Sequence, residues 1–251
     1  MFKDVNYETN ILIGTPLVGW KVSKNEHKQW ISDIQNIQAK FKNVKFFAAL
    51  EIDSRGVYEY GAFIEELKDL NIDFWTYSIN DGEDQVTSQN RWIRIETGRN
   101  LVREYAQRLR RIEGNYWGEE VQQMSWVNYD AILYVDSDIF LTCEILEKLL
   151  EVDHYMVSAD VPIYGLTGPV VNEIPRIEEH WNTAGLLLVN APQYYDLPWY
   201  SNRYLNLSDD PTFQHLAKRL YGSFTWVRKD IQARHEPVSP VEQRNIAPRE
   251  M

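Results

Sequence analysis

The run Ala131-Ile132-Leu133-Tyr134-Val135, followed at once by Asp136-Ser137-Asp138, constrains this chain more than any other stretch. Five consecutive apolar residues leave no polar face, so a strand built from them is covered on both sides. Strands of that kind belong to parallel sheets flanked by helices, and such sheets bind ligands in the crevice beyond their carboxyl ends. Asp136 and Asp138 stand at that end. Two carboxylates so placed repel one another unless protons or a cation relieve them. A divalent ion with oxygen ligands, Mg²⁺ or Mn²⁺, does so, and it bridges carboxylate to diphosphate. Asp-x-Asp elsewhere is often only a turn or a helix cap. Its place after a buried strand sets this one apart.

The flanking pattern agrees with an α/β protein. Ile11–Ile13 reads as a first strand, closed by Gly14-Thr15-Pro16. Trp30, Ile31, Ile34, Ile37 and Phe41 recur at helical spacing, and Val44–Leu50 is a second strand ending at Glu51 and Asp53. Tyr60, Phe63, Ile64, Leu67 and Leu70 mark a second helix, and Ile72–Ile79 a third strand. That is the βαβαβ half-unit of a nucleotide-binding sheet. A long helix follows, with Val102, Tyr105, Ala106, Leu109 and Ile112 on one face. Beyond the aspartates come a short helix near Cys143–Glu151 and strands near Tyr155–Ala159 and Gly185–Val189. A helix at Asp209–Tyr221 and an extended stretch at Ser223–Val227 close the pattern. The expected fold is one domain over residues 1–251, with a mostly parallel central sheet flanked by helices. Its nucleotide-binding half spans about 10–140, and the second half, with a C-terminal tail, about 141–251.

Arginine is concentrated in one segment. Arg91, Arg94, Arg99, Arg103, Arg108, Arg110 and Arg111 crowd a chain whose net charge is −11. Arg99 and Arg103 lie one turn apart on one helix face, and Arg110 continues that flank. A guanidinium grips phosphate oxygens with a planar fork; a solvated helix face is the plainer alternative. The acidity excludes a protein whose whole surface coats nucleic acid, though not a local basic site. Cys143, the single cysteine, forms no internal disulfide and fits a reducing compartment. No apolar stretch approaches the roughly 18 residues of a membrane helix. Met1–Glu8 has no signal-peptide core. The expected protein is cytoplasmic and without a membrane anchor.

In order and spacing, several motifs resemble those of the GT-A-fold glycosyltransferases. They are Thr15-Pro16 after the first strand, Gly98-Arg99-Asn100 opening a helix, Tyr129–Asp138, Trp181–Leu186, Ser208-Asp209-Asp210 heading a helix, and a late His235. The resemblance runs from about Ile11 to His235. It implies an enzyme that moves a sugar from a nucleoside-diphosphate sugar to an acceptor hydroxyl, with Mn²⁺ or Mg²⁺ as cofactor. By similarity, Asp136, Asp138 and His235 are the metal set, Asp138 binding the ion directly and Asp136 lying near the ribose. Thr15, Pro16, Asp53, Arg99, Asn100, Arg103, Asp136, Ser137, Asn182, Ala184 and Gly185 line the nucleotide and donor. Asp210, with Asp209 beside it, is the catalytic carboxylate, a general base if the anomeric centre inverts. Each has a structural alternative: strand terminator for Thr15-Pro16, turn cap for Asp53, turn for Asn182–Gly185, N-cap for Asp209-Asp210, exposed tail for His235. The chain departs from glycogenin-like retaining enzymes. His235 lacks the glycine and lysine that follow it there, and Asn182-Thr183-Ala184-Gly185 is one residue longer than their Asn-x-Gly.

Two other functions compete. A sugar-nucleotidyltransferase calls for a glycine-rich basic loop after the first strand, which Gly14–Trp20 does not supply. A catalytically inactive carbohydrate-binding relative has no need of the acidic pair or the late histidine. The acceptor stays open between a glycan, a glycoprotein and a hydroxymethylated base of phage DNA, in a bacterial or phage-infected cell. Trp181, Trp199, Tyr194, Tyr195 and Tyr200 stack on rings or simply pack. Lys218-Arg219, Arg228-Lys229, Arg234 and Arg244 are the local basic groups.

Overall fold

Continuous burial along the central strands dictates a sheet covered on both faces. The computed structural model describes residues 2–17, 28–52, 60–78, 88–107, 109–116, 119–126, 129–137, 139–160, 185–190, 197–200, 209–222 and 225–232. β1 (Ile11–Leu17), β2 (Val44–Glu51), β3 (Asp73–Tyr77), β6 (Ala131–Val135), β7 (Met156–Asp160), β8 (Leu186–Val189) and β9 (Thr225–Gln232) form one sheet. Its order is β3-β2-β1-β6-β8-β7-β9. β1 pairs in parallel with β2 and β6, β2 with β3, and β7 with β9; β8 runs antiparallel to β6 and to β7. The expected mostly parallel sheet is present. All five residues of β6 are buried, as their uninterrupted apolar run requires.

Odd and even positions feed two cores. Ile11 and Ile13, Phe46 and Ala48, and Leu133 and Val135 face α1 (Lys28–Lys40), α2 (Gly61–Asp69) and α4 (Cys143–Leu150). Leu12, Phe47, Ile132 and Tyr134 face α3 (Ser88–Ala106) and α5 (Asp209–Tyr221). Thr142 caps α4, its Oγ1 accepting the Ile145 N–H at 3.2 Å. Such a cap contributes about 1 kcal/mol. No helix among the described residues is long and apolar enough to cross a membrane.

Three expectations need correction. Gly98-Arg99-Asn100 does not open a helix, because α3 already begins at Ser88. The first strand does not close at Gly14-Thr15-Pro16 but continues to Leu17. Its ladder with β6 stops at Gly14, whereas the one with β2 runs on to Leu17. Pro16, which has no N–H, thus lies past the end of the β6 ladder, in the setting where a strand tolerates proline. The helical face read from Val102 to Ile112 also ends early. α3 stops at Ala106, and Leu109 and Ile112 belong to β4 (Leu109–Tyr116). β4 pairs antiparallel with β5 (Glu119–Trp126) in a separate two-stranded sheet. Arg110 and Arg111 therefore do not continue the flank of Arg99 and Arg103. Tyr116 pairs with Glu119, so two residues, Trp117-Gly118, separate the paired ends. A glycine between short extended runs is the hairpin signal that the helical spacing overrode.

Candidate active site

Glycine sets how close α3 lies to the sheet. A Cβ added at Gly14 would stand 2.1 Å from Cγ1 of Val102, and one at Gly98 would stand 2.7 Å from Cβ of Pro16. Both lie where α3 crosses β1, so each missing side chain brings the helix nearer the strand. This approach delivers Arg99 to the carboxyl end of β6.

Arg99 is 1% exposed, and its Nη2 donates to both Oδ1 and Oδ2 of Asp136 at 3.0 Å. The Asp136 side chain keeps 24% exposure, so it is not sealed from solvent as Arg99 is. Its backbone is fixed too: the Asp136 N–H donates to the Gly185 carbonyl at 2.8 Å, and the Ile139 N–H to the Asp136 carbonyl at 3.1 Å. Asp136 is not a helix cap, because the next helix starts at Cys143 under its own cap, Thr142. Gly185 is buried at the head of β8, and its backbone carbonyl meets Asp136. Ser137 follows in a half-buried turn.

Trp199 joins the pieces. Its ring is stacked on Phe213 of α5, with centroids 4.0 Å apart and planes 6° apart, and meets Tyr134 edge-on at 4.9 Å. The Arg99 guanidinium carbon lies 4.8 Å from the ring centroid. Asn100 holds the Trp199 backbone, donating from Nδ2 to its carbonyl at 2.6 Å and accepting its N–H on Oδ1 at 3.0 Å. Asn100 thus performs a positioning task toward the backbone of 197–200. Trp199 is 1% exposed and packs rather than offering a sugar platform; Tyr200 is 39% exposed. Burial pushes the Tyr134 phenol up to about 12, against the opposing influence of Trp199, Arg103 and Arg99. Arg103 lies a turn below Arg99, with Glu104 at 3.9 Å.

Thr15 and Pro16 diverge. Thr15 is fully buried on the α1 side, where its Oγ1 accepts the Trp30 indole N–H at 3.2 Å. With Asp33 it borders a cavity of about 10 Å³, the size of a single water. Asp33 in turn accepts the Leu141 N–H at 3.1 Å, tying α1 to the segment after Ser137. Pro16 faces Gly98 on the α3 side, with Arg99 next to it in the chain.

A second polar group sits at the carboxyl ends of β2 and β3. Glu51 Oε1 forms an ion pair with Arg94, 3.1 Å from its Nε, and the Tyr77 hydroxyl donates to the Arg94 carbonyl at 3.2 Å. Burial, with the Glu51 carboxylate nearby, raises the Tyr77 phenol far above its usual range. Sequence reasoning placed Glu51 at a strand end and Arg94 among the arginines, but it had no means of pairing them.

Asp209 and Asp210 open α5, the helix that Phe213 anchors to Trp199. Asp53, Asp138, Asn182, Ala184 and His235 lie outside the described residues, as do Trp181, Tyr194 and Tyr195. Asp136 is therefore the described member of the proposed metal set. A partly exposed carboxylate at the carboxyl edge of a parallel strand fits a hard divalent cation in donor chemistry.

No protein-family model matches the sequence, and no curated protein matches it. Solved structures do resemble the fold. Glucosyl-3-phosphoglycerate synthase from Mycobacterium tuberculosis, in complex with Mn²⁺, UDP and phosphoglyceric acid, aligns over 93% of this chain and 73% of its own. The identity is 10% and the TM-score 0.51. TarS of S. aureus in complex with UDP aligns over 92% and 61%, at 12% identity and a TM-score of 0.50. A mannosyltransferase from Pyrobaculum calidifontis, with GDP-Man and Mn²⁺, aligns over 96% and 61%, at 8% identity and a TM-score of 0.49. The chain thus spans 61% of the length of the last two. At such identities the likeness is one of fold, and the fold is that of the GT-A-type glycosyltransferases.

Proposed function

We propose that the protein is a metal-dependent glycosyltransferase that moves a sugar from a nucleoside-diphosphate sugar to an acceptor hydroxyl. The observation that carries this reading is the Arg99–Asp136 pair at the carboxyl end of β6, in a sheet of GT-A type. Asp136 would orient the ribose and share the cation with Asp138 and His235. The bound Mn²⁺ or Mg²⁺ would supply Lewis-acid neutralisation of the departing diphosphate. Arg99 and Arg103 add fixed positive charge on the same side, which favours the diphosphate most when it leaves. The Asn182–Gly185 segment would border the donor sugar, and the Gly185 carbonyl on the Asp136 N–H brings its end to the carboxylate. Pro16, Asp53 and the Glu51–Arg94 pair would border the nucleoside. Asp210, with Asp209, opens a helix anchored through Phe213 and Trp199 to Arg99. In an inverting reaction Asp210 would take the acceptor proton. The acceptor is a hydroxyl of a glycan, of a glycoprotein or of a hydroxymethylated nucleic-acid base, and the expected compartment is the cytoplasm.

A thermal-shift screen of UDP, GDP, ADP and CDP, each with and without Mn²⁺, tests the donor site. A ligand at about a hundred times its Kd stabilises the native state by about 2.7 kcal/mol, a shift of several degrees. One nucleotide raising Tm only with Mn²⁺ is the expected result. No shift with any of the four rejects the reading.

A further inference from the structure

Asp136 already has a cationic partner, and that partner has nowhere to go. The Arg99 guanidinium is buried, bonded through one nitrogen to both carboxylate oxygens, and packed near the Trp199 ring. Phe213 backs that ring and Asn100 fixes its backbone. The helix carrying Arg99 is itself held against β1 at Gly14–Val102 and Gly98–Pro16. A flexible surface arginine would swing away when another cation arrived; this one stays.

We propose that Arg99 makes metal binding at Asp136 conditional on the nucleotide. The inference rests on the donor-site reading above and adds an order of assembly to it. A divalent ion binding Asp136 shares a single carboxylate with an immovable guanidinium, and the two positive groups oppose one another across it. The negative charge of a diphosphate offsets both. Cation alone therefore binds weakly, cation with nucleoside diphosphate binds tightly, and by linkage each raises the affinity of the other by the same factor. Arg99 also keeps Asp136 charge-balanced when the site is empty of cation, so Asp136 does not need the metal to hold its place.

The experiment is Mn²⁺ binding to the full chain, read by the loss of the free-ion electron paramagnetic resonance signal, with and without saturating UDP or GDP. Separate Mn²⁺–nucleotide association is subtracted. Wild-type protein is expected to bind Mn²⁺ about tenfold or more tightly with nucleotide than without. In Arg99→Met the ion alone binds about tenfold more tightly than in wild type, and the enhancement by nucleotide shrinks by a similar factor. Arg99→Lys, which keeps the charge, retains the weak binding of the ion alone. An Arg99→Met protein with native circular dichroism whose Mn²⁺ affinity is unchanged or weaker overturns the proposal. It would reduce Arg99 to a structural ion pair. If Arg99→Met does not fold, Arg99→Gln, which also removes the charge, reads the same competition. Ion-alone binding in Arg99→Gln that is no tighter than in wild type overturns the proposal. Wild type that binds no nucleotide with Mn²⁺ rejects the donor site itself, a result distinct from wild type and Arg99→Met behaving alike.

Discussion

Asn100, which the resemblance assigns to the donor, has a partner in the protein itself. Its place beside Arg99 marked it for the donor, yet its side chain bonds the Trp199 backbone twice. Losing both bonds leaves a half-buried N–H and carbonyl unpaired, which costs about 1–3 kcal/mol per group. Asn100→Ala is therefore expected to lower the chemical-denaturation midpoint clearly. An unchanged midpoint would mean that water replaces the amide without loss. Asp138→Asn should behave in the opposite way, abolishing Mn²⁺-dependent turnover while circular dichroism and Tm stay native; full activity in chelator would remove the metal assignment. What was legible at this scale was local. Asp136 was found because an apolar run has a direction and an end. The Arg99–Asp136 pair, 37 positions apart, was not, because no spacing encodes a contact that depends on how closely a helix crosses a strand. Trp199 was read as either stacking on a ligand or packing, and only its burial between Phe213, Tyr134 and Arg99 decides for packing.

Among the elements, α3 matters most, because its seat on β1 sets where Arg99 lies. Gly14→Ala forces a methyl to within 2.1 Å of Val102 Cγ1, so helix and strand must part. Overpacking of this kind costs about 1–3 kcal/mol, and the displacement should also weaken nucleotide binding. Val102→Ala in the same chain removes the obstructing methyls, and part of the lost affinity should return. Failure of that rescue, with the double variant folded, would show that Gly14 serves backbone freedom rather than close approach. The β4–β5 hairpin is the counterexample. It joins the end of α3 to the start of β6, whereas Asp136 stands at the other end of β6. Leu109 pairs with Trp126, so a short glycine-serine bridge can replace residues 109–126. The shortened chain is expected to keep its nucleotide-dependent thermal shift; loss of that shift would place the hairpin in the binding machinery. Helical periodicity carried the sequence reading past Ala106 because Leu109 and Ile112 continue the spacing by coincidence. Strand-like alternation over so short a stretch is a weaker signal than that spacing.

For the molecule as a whole, the acid side of neutrality is where stability is most exposed. Bonding to Arg228 holds the Asp230 carboxyl at about 2, and bonding to Lys40 and Tyr7 holds Glu147 below its usual range. A carboxylate depressed in the folded state favours folding fully above its unfolded pKa, near 4, and that contribution disappears as pH falls through the folded value. Asp230 is 57% exposed, so solvent screening keeps its share small. His154 acts in the same direction at higher pH. Burial lowers its pKa, with Asp153 opposing, so the unfolded chain takes up the proton first and stability falls once pH drops below about 6.5. These groups close the molecule around β9 and the N-terminal segment: Arg228 also donates to the Lys148 carbonyl at 2.6 Å and lies 5.0 Å from the Phe2 ring centroid. The net charge of −11 works against them, since acidification relieves self-repulsion. The two effects are separable by substitution. His154→Asn should flatten the dependence of the urea midpoint on pH between 7 and 5 and leave the fall below pH 4 in place. Asp230→Asn should leave the upper slope in place and soften the fall below pH 4 only slightly. If His154→Asn leaves the upper slope as steep as before, the loss in that window comes from other titrating groups, and the half-buried His154 is not its source.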